Sequence, residues 1–473
     1  ENRMPYSGRM FENIEGKYVD VTLKSGVLHI SNALGLSASD LNNDGWTDLY
    51  IANDYDIPDK IFINNKNKTF TDNIKEMTNQ ISWNSMGVDV ADINNDGFLD
   101  IGSLDMAPND HVRGKTLMSS MDVARFNHLV EDKKYQYQYM FNTLQLNNGN
   151  NTFSNIAGVA GVLKTDWSWA PLFADFNNDG YKDYFITNGY RKAVTDNDWK
   201  NKLSQVSKEN NGKISMDQRI KLYSEMPEIK LPNKLYINNK NLKFTDEGDK
   251  QGLNLSSFSN GASYGDLDND GDLDLVVNNI DQLAFIYRNN TSTQNNQFLR
   301  IDLKSENCTE HYNAKVYVYF NNLLQLQEFN PTRGYQSSVE HCLHFGFTKD
   351  VDIVDSVVVY WTDGTVKKVK NVKLNRKLVL TKENAGAFDK PVVIKNQIFE
   401  TVKGSKLNIE FRHKENKFDD FIEESLLPHK QSVLGPFSSV ADIDMNGLDD
   451  FYVKFLVHFL NGVSSVNTTS IDK

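Results

Sequence analysis

The chain has 473 residues, 39% hydrophobic and 11% aromatic, enough to bury a sizeable core in two or three domains or in one repeat array with insertions. Its net charge of -12 argues against a nucleic-acid groove and suits an acidic surface or a cation binder. No apolar run approaches the ~18–20 residues that cross a bilayer as a helix.

Along the chain, FENIEGKYVD (11–20) is followed by five acid-rich loops: DLNNDGWTD (40–48), DINNDGFLD (92–100), DFNNDGYKD (175–183), DLDNDGDLD (266–274) and DIDMNGLDD (442–450). A second phrase alternates with them, as KIFINNKNKTFTD (60–72), TLQLNNGNNTFSN (143–155), KLYINNKNLKFTD (234–246) and FIYRNN (285–290). Asn64 to Asp92, Asn147 to Asp175 and Asn238 to Asp266 are each 28 residues apart, whereas the other half of the repeat varies in length. The variable half holds two long, partly helical insertions, about 106–140 and 191–231. Closing a longer surface loop costs little, so the fixed half is read as framework and the elastic half as loops over one face. Small and apolar residues alternate with period two on both sides of every acid loop (GVDVAD before, DLYIAN after), which places each loop in a β-hairpin. A period near 52 residues built from such strands predicts an all-β fold of propeller blades.

The acid spacing has a chemical reason. A hard cation such as Ca²⁺ takes six to eight oxygens at about 2.3–2.6 Å, and a short loop supplies them from side chains at positions 1, 3, 5 and 9 and a carbonyl at position 7. The predicted ligands are Asp40, Asn42, Asp44, Trp46 and Asp48; Asp92, Asn94, Asp96, Phe98 and Asp100; Asp175, Asn177, Asp179, Tyr181 and Asp183; Asp266, Asp268, Asp270, Asp272 and Asp274; and Asp442, Asp444, Asn446, Leu448 and Asp450. Position 12, a bidentate Glu in an EF-hand, is here Ile51, Ser103, Ile186, Val277 and Val453, which excludes that motif. The competing reading is a tight Asn-Asp-Gly turn that needs no ion. The five loops hold 18 of the 63 acidic residues, a charge that five divalent ions would largely offset.

Other signals are weaker. Cys308 and Cys342 lie among His311, His341 and His344, a spacing that leaves zinc, a disulfide and two inert thiols open. GASYG (261–265) satisfies the G-x-S-x-G pattern, but an acid loop follows Ser263 where a nucleophile elbow needs a helix. Trp83, Trp167 and Trp169, six to nine residues ahead of acid loops, are read as buried core rather than sugar-stacking residues.

The acid loops resemble the FG-GAP (VCBS) repeats of integrin-α-type propellers. FLRIDLK (298–304), NAKVYVYF (313–320), RGYQSSVEHCLHFGF (333–347), VDSVVVYWTDGTVKKVKNV (354–372) and NRKLVLT (375–381) resemble the UnbV/ASPIC domain of cartilage acidic protein and its bacterial relatives. Residues 409–450 resemble the place where the propeller resumes in large surface proteins of Bacteroidota-type bacteria. The resemblance implies blades over 1–290, a small antiparallel UnbV/ASPIC-like domain over 291–388 and a resumed blade over 389–473. It also implies a fragment of a larger extracellular or cell-surface protein with its signal peptide missing, because both ends fall inside blades and the last twenty residues depart from the family. The function expected is non-enzymatic, calcium-dependent binding or adhesion to a glycan or protein partner, with the long insertions either forming the binding face or merely packing over the propeller. The alternatives are a polysaccharide-acting enzyme on the same scaffold and an architectural subunit of an outer-membrane assembly.

Overall fold

The computed structural model describes residues 8–117, 122–291, 296–305, 311–382, 386–387, 420–423, 437–443, 445 and 450–454. Residues 1–393 form one compact unit and 394–473 a second. The first unit is built from blades of consecutive antiparallel strands, as the repeat predicts. Blade 1 is Ala33–Ser39, Asp48–Asn53, Lys60–Asn64 and Phe70–Asp72. Blade 2 is Val88–Ala91, Asp100–Ser103, Thr143–Asn147 and Phe153–Asn155, and blade 3 is Ser168–Ala174, Asp183–Asn188, Lys234–Asn238 and Phe244–Asp246. Blade 4 has three described strands, Ser259–Gly265, Asp274–Asn279 and Phe285–Tyr287, because the chain leaves it for the next domain.

Apolar residues at alternate strand positions meet between neighbouring blades. Tyr50, Ile61, Val88 and Ile101 join blades 1 and 2; Leu144, Phe173, Ile186 and Tyr236 join blades 2 and 3; Leu172, Phe185, Leu275 and Val277 join blades 3 and 4. The two insertions carry the expected helices, at His111–Thr116 and Val123–Asn127 in one and at Asn197–Glu209 and Met216–Glu225 in the other. An aspartate or serine caps the N-terminus of each, and Ser215 with Gln218 forms a full capping box.

The following domain packs two sheets over one core that includes Leu299, Val316, Phe345, Val357 and Trp361. One sheet orders Leu323–Glu328, Lys315–Phe320, Ile353–Tyr360, Thr365–Lys373 and Gly386–Ala387. The other is mixed: Asn296–Lys304 pairs antiparallel with Leu343–Thr348 but parallel with Arg376–Thr381. The purely antiparallel expectation is corrected there, since period-two alternation reports faces and not strand direction.

A hairpin of this domain, Thr332–Arg333 paired with Ser337–Ser338, runs along the first strands of the blades, which lie side by side. Gly334 exchanges backbone hydrogen bonds with Val88 of blade 2, at 3.2 and 3.3 Å, and the Ser263 hydroxyl of blade 4 donates to Ser338 O at 2.7 Å. Arg333 donates to Asp89 Oδ1 at 2.6 Å and to the Tyr264 hydroxyl at 2.8 Å. The backbones approach so closely that a Cβ on Gly87 would collide with the carbonyl of Trp169. Here termed the axial hairpin of an axial domain, it begins beside the acid loops, where Asn330 Nδ2 donates to Ala38 O at 3.1 Å, and its tip, Tyr335, lies against Trp169 at the far end of blade 3's first strand.

In the second unit, Phe437–Ala441 pairs antiparallel with Asp450–Lys454.

Candidate metal centres

Every acid loop closes a hairpin in one register. The residue before position 1 pairs with position 9: Ser39 with Asp48, Ala91 with Asp100, Ala174 with Asp183, Gly265 with Asp274 and Ala441 with Asp450. Position 4 is left-handed in all five, with φ of 58° at Asn43, 59° at Asn95, 55° at Asn178, 62° at Asn269 and 59° at Met445. Asparagine tolerates that region where most residues do not, which explains its recurrence there. Position 6 is glycine at φ of 85–93° in the first four loops.

The position-1 carboxylate accepts from two amides of its own turn. Asp40 Oδ1 takes Asp44 N at 2.9 Å and Oδ2 takes Gly45 N at 2.7 Å. Asp92, Asp175 and Asp266 do the same with the amides of Asp96 and Gly97, Asp179 and Gly180, and Asp270 and Gly271. The side-chain oxygens of Asn42, Asn94 and Asn177 accept from the position-5 amide. Those of Asp44, Asp96, Asp179 and Asp270 accept from the amides of Trp46, Phe98, Tyr181 and Asp272. Asp48, Asp100, Asp183 and Asp274 are buried and accept from the position-2 amide. Predicted ligands 1, 3, 5, 7 and 9 thus line one turn in loops 1 to 4. Of the fifth set, Asp442 and the backbone of Asp450 are described; Asp444, Asn446 and Leu448 lie outside the described residues.

Burial pushes the Asp48 and Asp92 carboxyls up to about 7, and pushes Asp175 up to about 6 against the opposing charge of Lys182. The fourth loop is the most acidic. Ligand oxygens of Asp266, Asp268 and Asp270 lie within 4.8 Å of one another, and oxygens on opposite sides of a Ca²⁺ at about 2.3–2.6 Å stand about 5 Å apart. Buried Asp272 has two carboxylate oxygens that meet no hydrogen-bond donor. A hard cation fits this donor set.

The second repeated phrase explains the constant spacing. The amides of Asn64, Asn147, Asn238 and Asn289 donate to Oδ1 of Asp48, Asp100, Asp183 and Asp274 at 2.8–3.0 Å. Their side-chain Nδ2 groups donate to the position-8 carbonyl. Three of them also reach the preceding blade: Asn147 to Leu41 O, Asn238 to Ile93 O and Asn289 to Phe176 O, at 2.7–2.9 Å. In the other direction, Asn95 donates to Gly180 O and Asn178 to Gly271 O. One asparagine therefore fixes its own acid loop and ties it to the one before. The spacing was the signal in the sequence.

The axial domain supplies residues that sequence reasoning missed. Buried Lys315 donates to Asp40 Oδ2 at 2.9 Å while Glu328 accepts from Asp40 N at 3.2 Å. Buried Arg300 donates to Asp266 Oδ2 at 2.6 Å and pairs with Glu340, which accepts from Asp266 N at 3.1 Å.

The remaining predicted sites fare differently. His344 Nε2 is bonded to Asn178 Oδ1 at 2.6 Å and His311 Nδ1 to Ser305 Oγ at 3.0 Å, so neither is gathered around Cys342. The Cys342 thiol is buried, which pushes it up to about 11; Cys308 lies outside the described residues. Ser263 sits inside a strand that runs into the fourth acid loop. Trp83, Trp167 and Trp169 are half-buried rather than core. The expectation of core burial fails because each sits at or just before the entry to a blade's first strand, on the side remote from the acid loops.

Two family models match the chain: an FG-GAP-like repeat over residues 40–103 and 131–186, and ASPIC and UnbV over 304–387. No curated protein matches it. The first match covers the loops and stitched asparagines of blades 1 and 2 and the loop of blade 3, and the second covers most of the domain that supplies the axial hairpin. The chain carries FG-GAP-like repeats folded as propeller-type β-blades together with an ASPIC and UnbV domain.

Proposed function

We propose that the chain is a calcium-stabilised, non-enzymatic binding module of an extracellular or cell-surface protein, and that it engages a glycan or protein partner through the face bearing the two long insertions. The observation that carries the calcium reading is the fourfold repetition of one carboxylate-lined turn, with the oxygens of Asp266, Asp268 and Asp270 converging in its most acidic copy. Asp40, Asn42, Asp44 and Asp48, with their counterparts in the other loops, would hold the ions. The ions would neutralise carboxylates that otherwise repel one another at the hairpin bends. FG-GAP repeats favour an extracellular setting, and among the described residues no helix is long and apolar enough to cross a membrane. Calorimetric titration of EGTA-stripped protein with CaCl₂ tests the reading. Heats that saturate at several ions per chain, with a higher melting temperature, are expected. No heat, together with the same melting curve in EGTA and in millimolar calcium, would overturn it.

A further inference from the structure

At the tip of the axial hairpin, three separate parts of the chain bring aromatic rings together on the side away from the acid loops. Tyr335 lies 4.8 Å from Trp169, whose ring is 6.4 Å from Tyr190; Tyr190 in turn stacks on Trp167 at 4.0 Å and 8°. Asp54 and exposed Tyr55, on the loop leaving blade 1's second strand, complete the group. Burial raises the hydroxyls of Tyr190 and Tyr335; the Asp54 charge adds to this at Tyr335 and, after Tyr223 and Tyr55, at Tyr190. All except Tyr55 are half-buried, and residues of both long insertions line a small cavity against Trp167 and Tyr190.

The polar inventory selects the ligand. Asp54 Oδ1 accepts from Tyr55 N at 2.8 Å; among the described residues nothing donates to Oδ2, and the hydroxyls of Tyr190 and Tyr335 take no partner. The Trp169 indole N–H is already committed to Gly189 O at 2.6 Å, and that of Trp167 is buried. The site thus offers ring faces, a carboxylate acceptor and phenolic hydroxyls that can donate or accept, together with the buried, unpartnered N–H of Trp167. A peptide backbone brings only one N–H per residue for the carboxylate, and its carbonyls would be repelled by Asp54. A pyranose brings an apolar C–H face for the rings and several hydroxyl donors for the carboxylate. We propose that Asp54, Tyr55, Trp169, Tyr190 and Tyr335 form a binding site for a neutral hexopyranose unit of a polysaccharide. This rests on the reading of that face as the binding face and names its ligand.

The test is affinity electrophoresis of the full chain in 2 mM CaCl₂ through gels containing starch, xylan, galactomannan or mixed-linkage β-glucan, with melting curves taken in parallel. Retardation by at least one polysaccharide is expected. It should fall at least tenfold in Tyr335→Ala and Asp54→Ala, and several-fold in Tyr190→Phe and Tyr335→Phe, which keep the rings and the fold. No retardation in any gel, retardation unchanged in all four variants, or capture by a proline-rich peptide in place of every polysaccharide would overturn the proposal. A melting temperature that still falls on chelation while no polysaccharide retards the chain sinks the sugar site alone. Retardation with a melting curve indifferent to chelation sinks calcium and leaves the sugar site standing.

Discussion

The four acid loops of the first unit share one backbone but lean on different supports. Loops 2 and 3 are tied into their neighbours through Asn95 and Asn178, which donate to the next loop, and through Asn238 and Asn289, which donate back to them. Loops 1 and 4, each bonded by one such asparagine (Asn147 to Leu41 O, Asn178 to Gly271 O), are clamped in addition by the ASPIC and UnbV domain. In each, a buried cation takes the position-1 carboxylate and a glutamate takes its amide: Lys315 with Glu328 at Asp40, Arg300 with Glu340 at Asp266. Where the series of described neighbours ends, a foreign domain makes the same kinds of bond. The repeat therefore specifies a turn that needs outside support, and any element with the right polar groups can give it.

On the proposed calcium reading, removing the ions has the largest expected effect, because it would weaken all the loops together. A ligand at 100 times its dissociation constant stabilises by about 2.7 kcal/mol per site, so excess EGTA should lower the melting temperature by more than about 10 °C. Calorimetry that shows a single blade melting early, with the rest unchanged, would break the picture of stitched loops.

The clamps come next. Lys315→Met leaves Asp40 and Glu328 buried without their cation and should cost about 3–5 kcal/mol in urea unfolding. Lys66→Met removes only the half-exposed partner of Asp44, 3.2 Å away, and should cost under about 1 kcal/mol. Similar losses in the two variants would mean that Lys315 supports nothing special.

A pH scan sharpens the comparison away from the ions. Asp59, buried beneath Tyr50 and Ser85 in blade 1, is pushed up to about 7 by desolvation. Its folded value exceeds the ordinary carboxylate value near 4, so the folded state binds the extra proton between them. Stability should fall as pH rises from about 4 to 7, by up to about 1.4 kcal/mol per pH unit. Asp59→Asn should flatten that slope in chemical denaturation at fixed calcium, and an unchanged slope would refute the assignment.

The smallest predicted difference is among the asparagines. Asn238→Ala orphans the carbonyls of both Ile93 and Lys182 and should cost about 1–3 kcal/mol. Asn64→Ala, at a site whose Nδ2 donates to one carbonyl, Thr47 O, should cost about 1 kcal/mol. Equal costs would show that the reach between blades carries no stability.

Much of the fold was legible because each blade is local: strands alternate with period two, and a turn must follow an Asn-Asp-Gly stretch. The same locality pointed to positions 1 to 9 of the acid loops, which line one turn in the first four. The constant 28-residue step betrayed Asn147 and Asn238, but its cause did not show, since their second acceptors are 106 and 145 residues away. Lys315 lies 275 residues from Asp40, and no spacing rule joins a lysine in an apolar strand to an acid loop that distant. The half-burial of Trp169 escaped notice for a related reason: its neighbour Tyr335 comes from another domain.

The axial hairpin carries a consequence for biogenesis. Gly334 pairs with Val88 across 246 residues of chain, and Arg333 is the partner of buried Asp89. Sequence separations of that size make closure slow and late. As the ribosome releases the early blades, their inner strands must wait, with an aspartate unpaired among them, until the later domain emerges to fill the space. Any machinery that handles the nascent chain would hold it unfinished across the 246 residues that separate Val88 from Gly334.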